Sequence, residues 1–212
     1  AAQNLQEFVQ VKFKEGLESQ EWVETQDVIL RTSTGVFEGA VAKGLSRESL
    51  IALKRRAQES AESTNPESFD PRSPDLSKPD EIIMGYDLAR KLDSYRGDRV
   101  LVIPPESLLL PPEEAPPYQK VTIRSLLYTE VEDVDSRMIF YVRGKALGPL
   151  SSSMSRKVQL EVRLEDAFDA KSLKGQIQNQ FEGLEIETWS ERNSALFYAL
   201  KLERSALQGL LG

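Results

Sequence analysis

Apolar residues fall at helical spacing in the first fifteen positions, at Leu5, Phe8, Val9 and Phe13, and Gly16 follows them. This predicts an amphipathic helix over residues 3–15, closed by a glycine just past its last turn. A strand through Val9, Val11 and Phe13 is the alternative. From Trp22 the period drops to two, and residues 22–32 and 35–43 alternate as two strands around a Thr32-Ser33-Thr34-Gly35 turn. Ser46 suits the N-cap of a helix carrying Leu50, Ile51, Leu53 and Ala57. The most informative stretch is residues 82–104, IIMGYDLARKLDSYRGDRVLVIP. It reads as a strand ended by Gly85, a helical stripe of Leu88, Ala89 and Leu92, a Gly97-Asp98 turn and a second, β-branched strand over 100–103. Strands follow over 121–128 and 137–142. A strand over 158–164, a helix near 167–181 and a strand over 184–189 then make a β-α-β unit. A last helix, about 192–211, aligns Leu196, Ala199, Leu200, Ala206, Leu207 and Leu210 on one stripe. It ends in Leu-Leu-Gly without a polar cap, as though continued by a membrane span.

Prolines punctuate this pattern unevenly. Four lie from Pro66 to Pro79, six from Pro104 to Pro117, and Pro149 stands apart. The first group is mixed with Ser and Asp and reads as part of a mobile loop over 60–80. The second, PPESLLLPPEEAPP, separates two strands, so residues 100–128 are expected to form a protruding hairpin with a long tip. Proline lacks an amide donor and fixes φ, which keeps such a tip semi-rigid and off the ladder. Leu108, Leu109 and Leu110 sit in it, ringed by Glu106, Glu113 and Glu114. Adjacent leucines held away from a core mark a contact site. The competing reading is that they fold back onto the domain, since apolar residues are more often core than surface contact.

Composition narrows the chemistry. With 212 residues the chain can bury a real core, and its 29% charged residues give it a solvated surface. No apolar run approaches the ~20 residues a bilayer span needs. The net charge of −7 is spread along the chain, which disfavours nucleic acid. Lys54-Arg55-Arg56 lies on a predicted helix among Glu48, Glu59 and Glu62, a solvated face. Cys and His are absent, which removes thiolate nucleophiles, Cys/His zinc sites and histidine bases together. Neither a P-loop nor a Gly-x-Ser-x-Gly elbow occurs. Glu130, Glu132, Asp133 and Asp135 form the one dense carboxylate group near a turn. Such a group can hold Ca²⁺ or Mg²⁺ or work as acid and base on a glycoside, but an EF-hand would need a central Gly and a terminal Glu. A solvated turn is the simpler reading, and no catalytic residue, metal or cofactor is assigned.

The 82–104 stretch resembles the extracytoplasmic core domain of MacB-type ABC transporter permeases, with its apolar pair, Gly, two residues, Leu-Ala, then Gly-Asp before a strand. Gly39-Ala40-Val41-Ala42-Lys43-Gly44-Leu45-Ser46 is similar to the strand these permeases place before their variable insertion. Trp189-Ser190-Glu191-Arg192-Asn193, followed by Leu200-Lys201-Leu202-Glu203-Arg204, resembles the approach to the second transmembrane helix of lipoprotein-releasing permeases of the LolC/LolE type. Ser125-Leu126-Leu127 with Val131-Glu132-Asp133-Val134-Asp135 sits where that family has a strand and an acidic turn. The likeness runs from about Leu17 to Leu211. The family's opening strand has no counterpart here, and residues 46–80 are particular to this chain.

The resemblance implies an α+β, MacB-like periplasmic core domain. Residues 1–45 and 156–212 would form a discontinuous porter-like β-α-β subdomain, and 46–155 a strand-rich inserted subdomain. It implies a domain at the periplasmic face of the bacterial inner membrane, anchored in the full-length protein. Its partners would be an ATPase subunit, a second permease subunit, lipoprotein substrates and a soluble lipoprotein carrier. Leu108, Leu109, Leu110, Pro111 and Pro112 correspond to the hairpin with which such a permease engages its carrier. The function implied is mechanical: ATP hydrolysis on another subunit drives release of lipoproteins to that carrier. An efflux or mechanotransmission permease of the MacB kind, a carboxylate-dependent hydrolase and a stand-alone adhesion or scaffold domain are the alternatives.

Overall fold

Alternating exposure along Leu17–Arg31 forms β1, and its register continues across a turn into β2, Phe37–Leu45. Thr32 closes that turn by accepting the Val36 amide on its hydroxyl, while Gly35 takes φ +89°, which favours glycine. The computed structural model describes residues 2–64, 76, 78–111, 113–144, 155–192 and 194. The strands β3 (Glu81–Gly85), β4 (Arg99–Ile103), β5 (Gln119–Leu127), β6 (Met138–Val142) and β7 (Lys157–Leu164) complete a seven-stranded sheet with parallel and antiparallel pairs. Helices α1 (Ala2–Lys12), α2 (Arg47–Thr64), α3 (Tyr86–Lys91), α4 (Glu132–Arg137), α5 (Ala170–Gln180) and α6 (Trp189–Arg192) make the fold α+β.

The chain divides into two units, Ala1–Gln20 with Leu160–Gly212, and Glu21–Gln159. Residues 21–45, which the sequence places with the chain ends, therefore belong with the second unit. The strand pairing explains why. β1 pairs with β2 and also with β4, and the ladder runs on through β2–β6, β6–β3, β3–β5 and β5–β4. Those six strands form a closed ring, and β1 and β2 are members of it.

Two side chains from each strand fill the ring: Val28 and Leu30, Ala40 and Ala42, Ile82 and Met84, Val100 and Val102, Val121 and Ile123, Ile139 and Tyr141. Leu88, Ala89 and Leu92, at and just beyond α3, pack into the same cluster. This is the period-two pattern of a barrel interior, plugged by the helical stripe read from the sequence. Ile83, Leu127 and Phe140 belong to a second cluster with Leu45 and Leu50, which is why β3 is apolar on both faces. A bulge in the β3–β5 pairing sets Ile82 opposite Ile123 and Ile83 opposite Ser125. One extra residue reverses the facing of β5, so Leu126 packs on the interior cluster while Leu127 joins the outer one.

Ser46 caps α2 as expected, its hydroxyl accepting the Ser49 amide at 3.1 Å. Gly85 ends β3 for a steric reason: a Cβ there would lie 2.4 Å from the Asp135 carbonyl oxygen and 2.6 Å from that of Val134. Backbone from α4 thus occupies the space a side chain would need. Gly97, at φ +94°, donates its amide to the Ile123 carbonyl at 2.8 Å and so ties the turn before β4 to β5.

In the first unit α1 ends at Lys12, and the Phe13 and Gly16 amides are bound by the carbonyls of Val9 and Phe13. Leu5, Val9, Leu173 and Ile177 are buried, and Phe8 meets Phe181 edge to face at 5.5 Å. The β-α-β unit expected at the C-terminal end is corrected here. β7 and α5 form, but residues 184–188 are not a strand. Thr188 and Glu191 satisfy each other's backbone amides, Glu191 N–H to Thr188 Oγ1 at 3.3 Å and Thr188 N–H to Glu191 Oε2 at 2.8 Å. This T-x-x-E capping box starts α6 where the apolar alternation suggested extended chain. The helix expected over 192–211 lies outside the described residues apart from Arg192 and Ser194, as do most of the expected 60–80 loop and residues 145–154.

Gly85→Ala is expected to lower stability by about 2 kcal/mol or more, because backbone has to move to admit the methyl group. Chemical denaturation measures this, and a parent-like midpoint would show that α4 yields freely. Thr188→Ala should cost about 1 kcal/mol through loss of the cap. It should also raise amide exchange in α6 while leaving the barrel strands protected.

Candidate functional site

The β4–β5 connection carries the residues that the sequence marks for partner binding. β4 and β5 pair antiparallel from Arg99 with Thr122 to Val102 with Gln119, which leaves the described residues of 104–118 outside the ladder. Pro104 is buried at the end of β4. Pro105 then opens a single 3₁₀ turn, Pro105–Leu109, stapled by Ser107 N–H to the Pro104 carbonyl at 3.0 Å. A second turn closes from the Glu114 amide to the Pro111 carbonyl at 2.9 Å. The connection is therefore two proline-started turns, where the sequence suggested a long, semi-rigid hairpin tip of unspecified local form.

Leu108 is 76% exposed and Leu109 83%. They do not fold back. Leu110 is partly buried, Pro111 is exposed, and Pro112 lies outside the described residues. Glu113 and Glu114 are exposed and Glu106 is partly buried. Tyr118, on the returning limb, is 54% exposed and adds apolar surface that the sequence reading did not single out.

The acidic group does not assemble into a site. Where the sequence suggested a solvated turn, Glu132, Asp133 and Asp135 lie on α4 and Glu130 just before it, and Glu130, Glu132 and Asp133 are exposed. Asp133 lies 4.0 Å from Arg137 one turn on, an exposed pair. Asp135 alone turns inward. It is 2% exposed, and its carboxylate accepts the amide and the hydroxyl of Thr129, each at 2.8 Å. Burial pushes its carboxyl above the ordinary range, the Thr129 hydrogen bonds oppose that, and the Asp87 charge adds to the rise. Its role is to close the turn that sets α4 over Gly85.

A polar group that the sequence reading missed lies in the barrel. Glu24 accepts the Tyr141 hydroxyl at 3.2 Å and Arg156 Nη2 at 2.9 Å. Burial, then the Glu24 charge, holds the Tyr141 phenol well above its usual range. Gly44 makes room for the ring, since a Cβ there would sit 2.8 Å from Tyr141 Cζ. Next to Glu24 on the same face of β1, Gln26 is 3% exposed and its Oε1 has no hydrogen-bond partner among the described residues. The signal was present in the alternation of β1, where Glu24 and Gln26 share the face of Val28 and Leu30. Elsewhere, a depression lined by Arg47, Leu50, Lys54 and Ile83 has room for about one water molecule, about 10 Å³, too little for a substrate.

No protein-family model matches the chain, and no curated protein matches it.

Asp135 gives a pH prediction opposite to that of a salt-bridged carboxylate. Its folded value is raised above the ordinary 3.8, so the folded chain keeps a proton that the unfolded chain has released. Its contribution to stability is complete below the unfolded value and is lost as pH climbs through the raised folded value. Asp135→Asn should flatten the fall in stability with rising pH that begins above the ordinary carboxylate value, in urea titrations across the acid range. A variant that keeps the parent's slope would contradict the assignment.

Proposed function

We propose that this chain is the extracytoplasmic domain of an inner-membrane ABC transporter permease, of MacB-like core architecture, that releases lipoproteins and passes them to a soluble carrier at the periplasmic face. The observation that carries this reading is the exposure of Leu108 and Leu109, at 76% and 83%, on a connection braced by prolines at both ends. Burying two such side chains against a partner is favourable by roughly 1.5–3 kcal/mol each, whereas in the free chain they face water. The order β3, α3, glycine turn, β4 within residues 82–104 also agrees with the resemblance to these permeases. ATP hydrolysis falls to another subunit and reaches this domain as movement of the membrane-embedded part. The carboxylates of α4 take no chemical step in this mechanism, and Asp135 holds a turn.

Capture of the soluble lipoprotein carrier by the full-length permease complex tests the proposal. Leu109→Asp is expected to reduce capture by about tenfold or more, the scale of one interface hot spot. At 83% exposure the side chain is not part of the core, so the fold should be unaffected. Undiminished capture would refute the role of the loop.

A further inference from the structure

Resting on that reading, we propose that the partner face receiving this loop is an apolar cleft rimmed by Lys and Arg. The loop divides the work, its carboxylates speeding encounter and its leucines holding the complex. Residues 104–118 contain Glu106, Glu113 and Glu114 and no Lys or Arg. Glu113 and Glu114 are exposed beyond the leucines, on the turn closed at Pro111. The loop therefore exposes acidic side chains, and no basic ones, on the same connection as its exposed leucines.

A partner of like sign would be repelled during approach, and a neutral one would gain nothing from the two exposed carboxylates, Glu113 and Glu114. A basic rim is the complement. Such charges act over about a Debye length, roughly 8 Å at physiological salt, and so matter mainly before contact. Once the complex has formed they remain at a wet edge, where an ion pair is worth little. Leu108, Leu109 and Tyr118 lose water only on docking, so their contribution appears in the lifetime of the complex. A braced loop of two short turns also has little freedom to lose, which keeps these two roles separable.

Association and dissociation rates of the full permease complex in nanodiscs with the purified soluble lipoprotein carrier separate the effects. Glu113→Gln with Glu114→Gln should lower the association rate about three- to tenfold at low salt, leave dissociation unchanged, and lose its effect near 0.5 M salt, where screening is strong, roughly. Leu108→Ser with Leu109→Ser should speed dissociation and spare association. If the charge variant associates as fast as the parent at low salt while the leucine variant dissociates faster, the basic rim is wrong and the docking reading stands. If the leucine variant keeps both parental rates, the docking reading falls and the charge proposal falls with it.

Discussion

Closure of the barrel depends on β1 being paired on both sides. Its Ile29–Arg31 segment holds β4 while Glu24–Arg31 holds β2, and without that double pairing the ladder from β2 to β4 would be an open sheet with two free edges. Closure also sets the interior, where two buried apolar side chains from each of the six strands meet the few that α3 inserts. Ala40 and Ala42 on β2 are small where β6 brings in Tyr141, and Gly44 completes the space for its ring. The same closure frees the β4–β5 connection. Both flanking strands already have neighbours on each side, so residues 104–118 supply no ladder bonds and can carry leucines outward.

Much of this fold was legible because its strongest segments obey one period each. Residues 82–104 hold a strand, a helical stripe and a second strand in sequence, and Gly85 and Gly97 mark junctions that only small residues or positive φ allow. Less legible were the places where a polar residue, rather than an apolar pattern, decides the geometry. Leu184 and Ile186 alternate like a strand, yet Thr188 and Glu191 cap one another and start a helix. Val131–Asp135 reads as an acidic turn, but Asp135 folds back on Thr129 and the segment from Glu132 winds into α4. Barrel closure was not legible at all, since a pattern of alternation shows which face of β1 is buried and not which strands lie beside it.

For the candidate site the residues were legible and their setting was not. Three leucines between prolines fit a fold-back as well as a protrusion, and composition could not separate the two. The difference lies in Pro104, buried at the end of β4, and in the 3₁₀ turn that follows, which aims Leu108 and Leu109 away from the core while Leu110 stays partly covered. The Glu24, Tyr141 and Arg156 group was not legible because Glu24, on β1, lies more than a hundred residues from Tyr141 on β6 and Arg156 just before β7.

Two adjacent leucines in water are a liability that needs an offset, since exposed apolar residues invite copies of the same chain to associate. The acids beside them provide one. Glu113 and Glu114 would face their own counterparts in any self-contact through this tip, and a chain of net charge −7 adds to that repulsion. On the docking proposal the carboxylates would thus discriminate by sign, opposing a second copy of this chain and favouring a basic partner. Prolines serve the same end, because they deny the loop the amide donors that strand-to-strand association would use. An apolar contact that repels its own kind and cannot extend a sheet is suited to a partner other than a second copy of this chain.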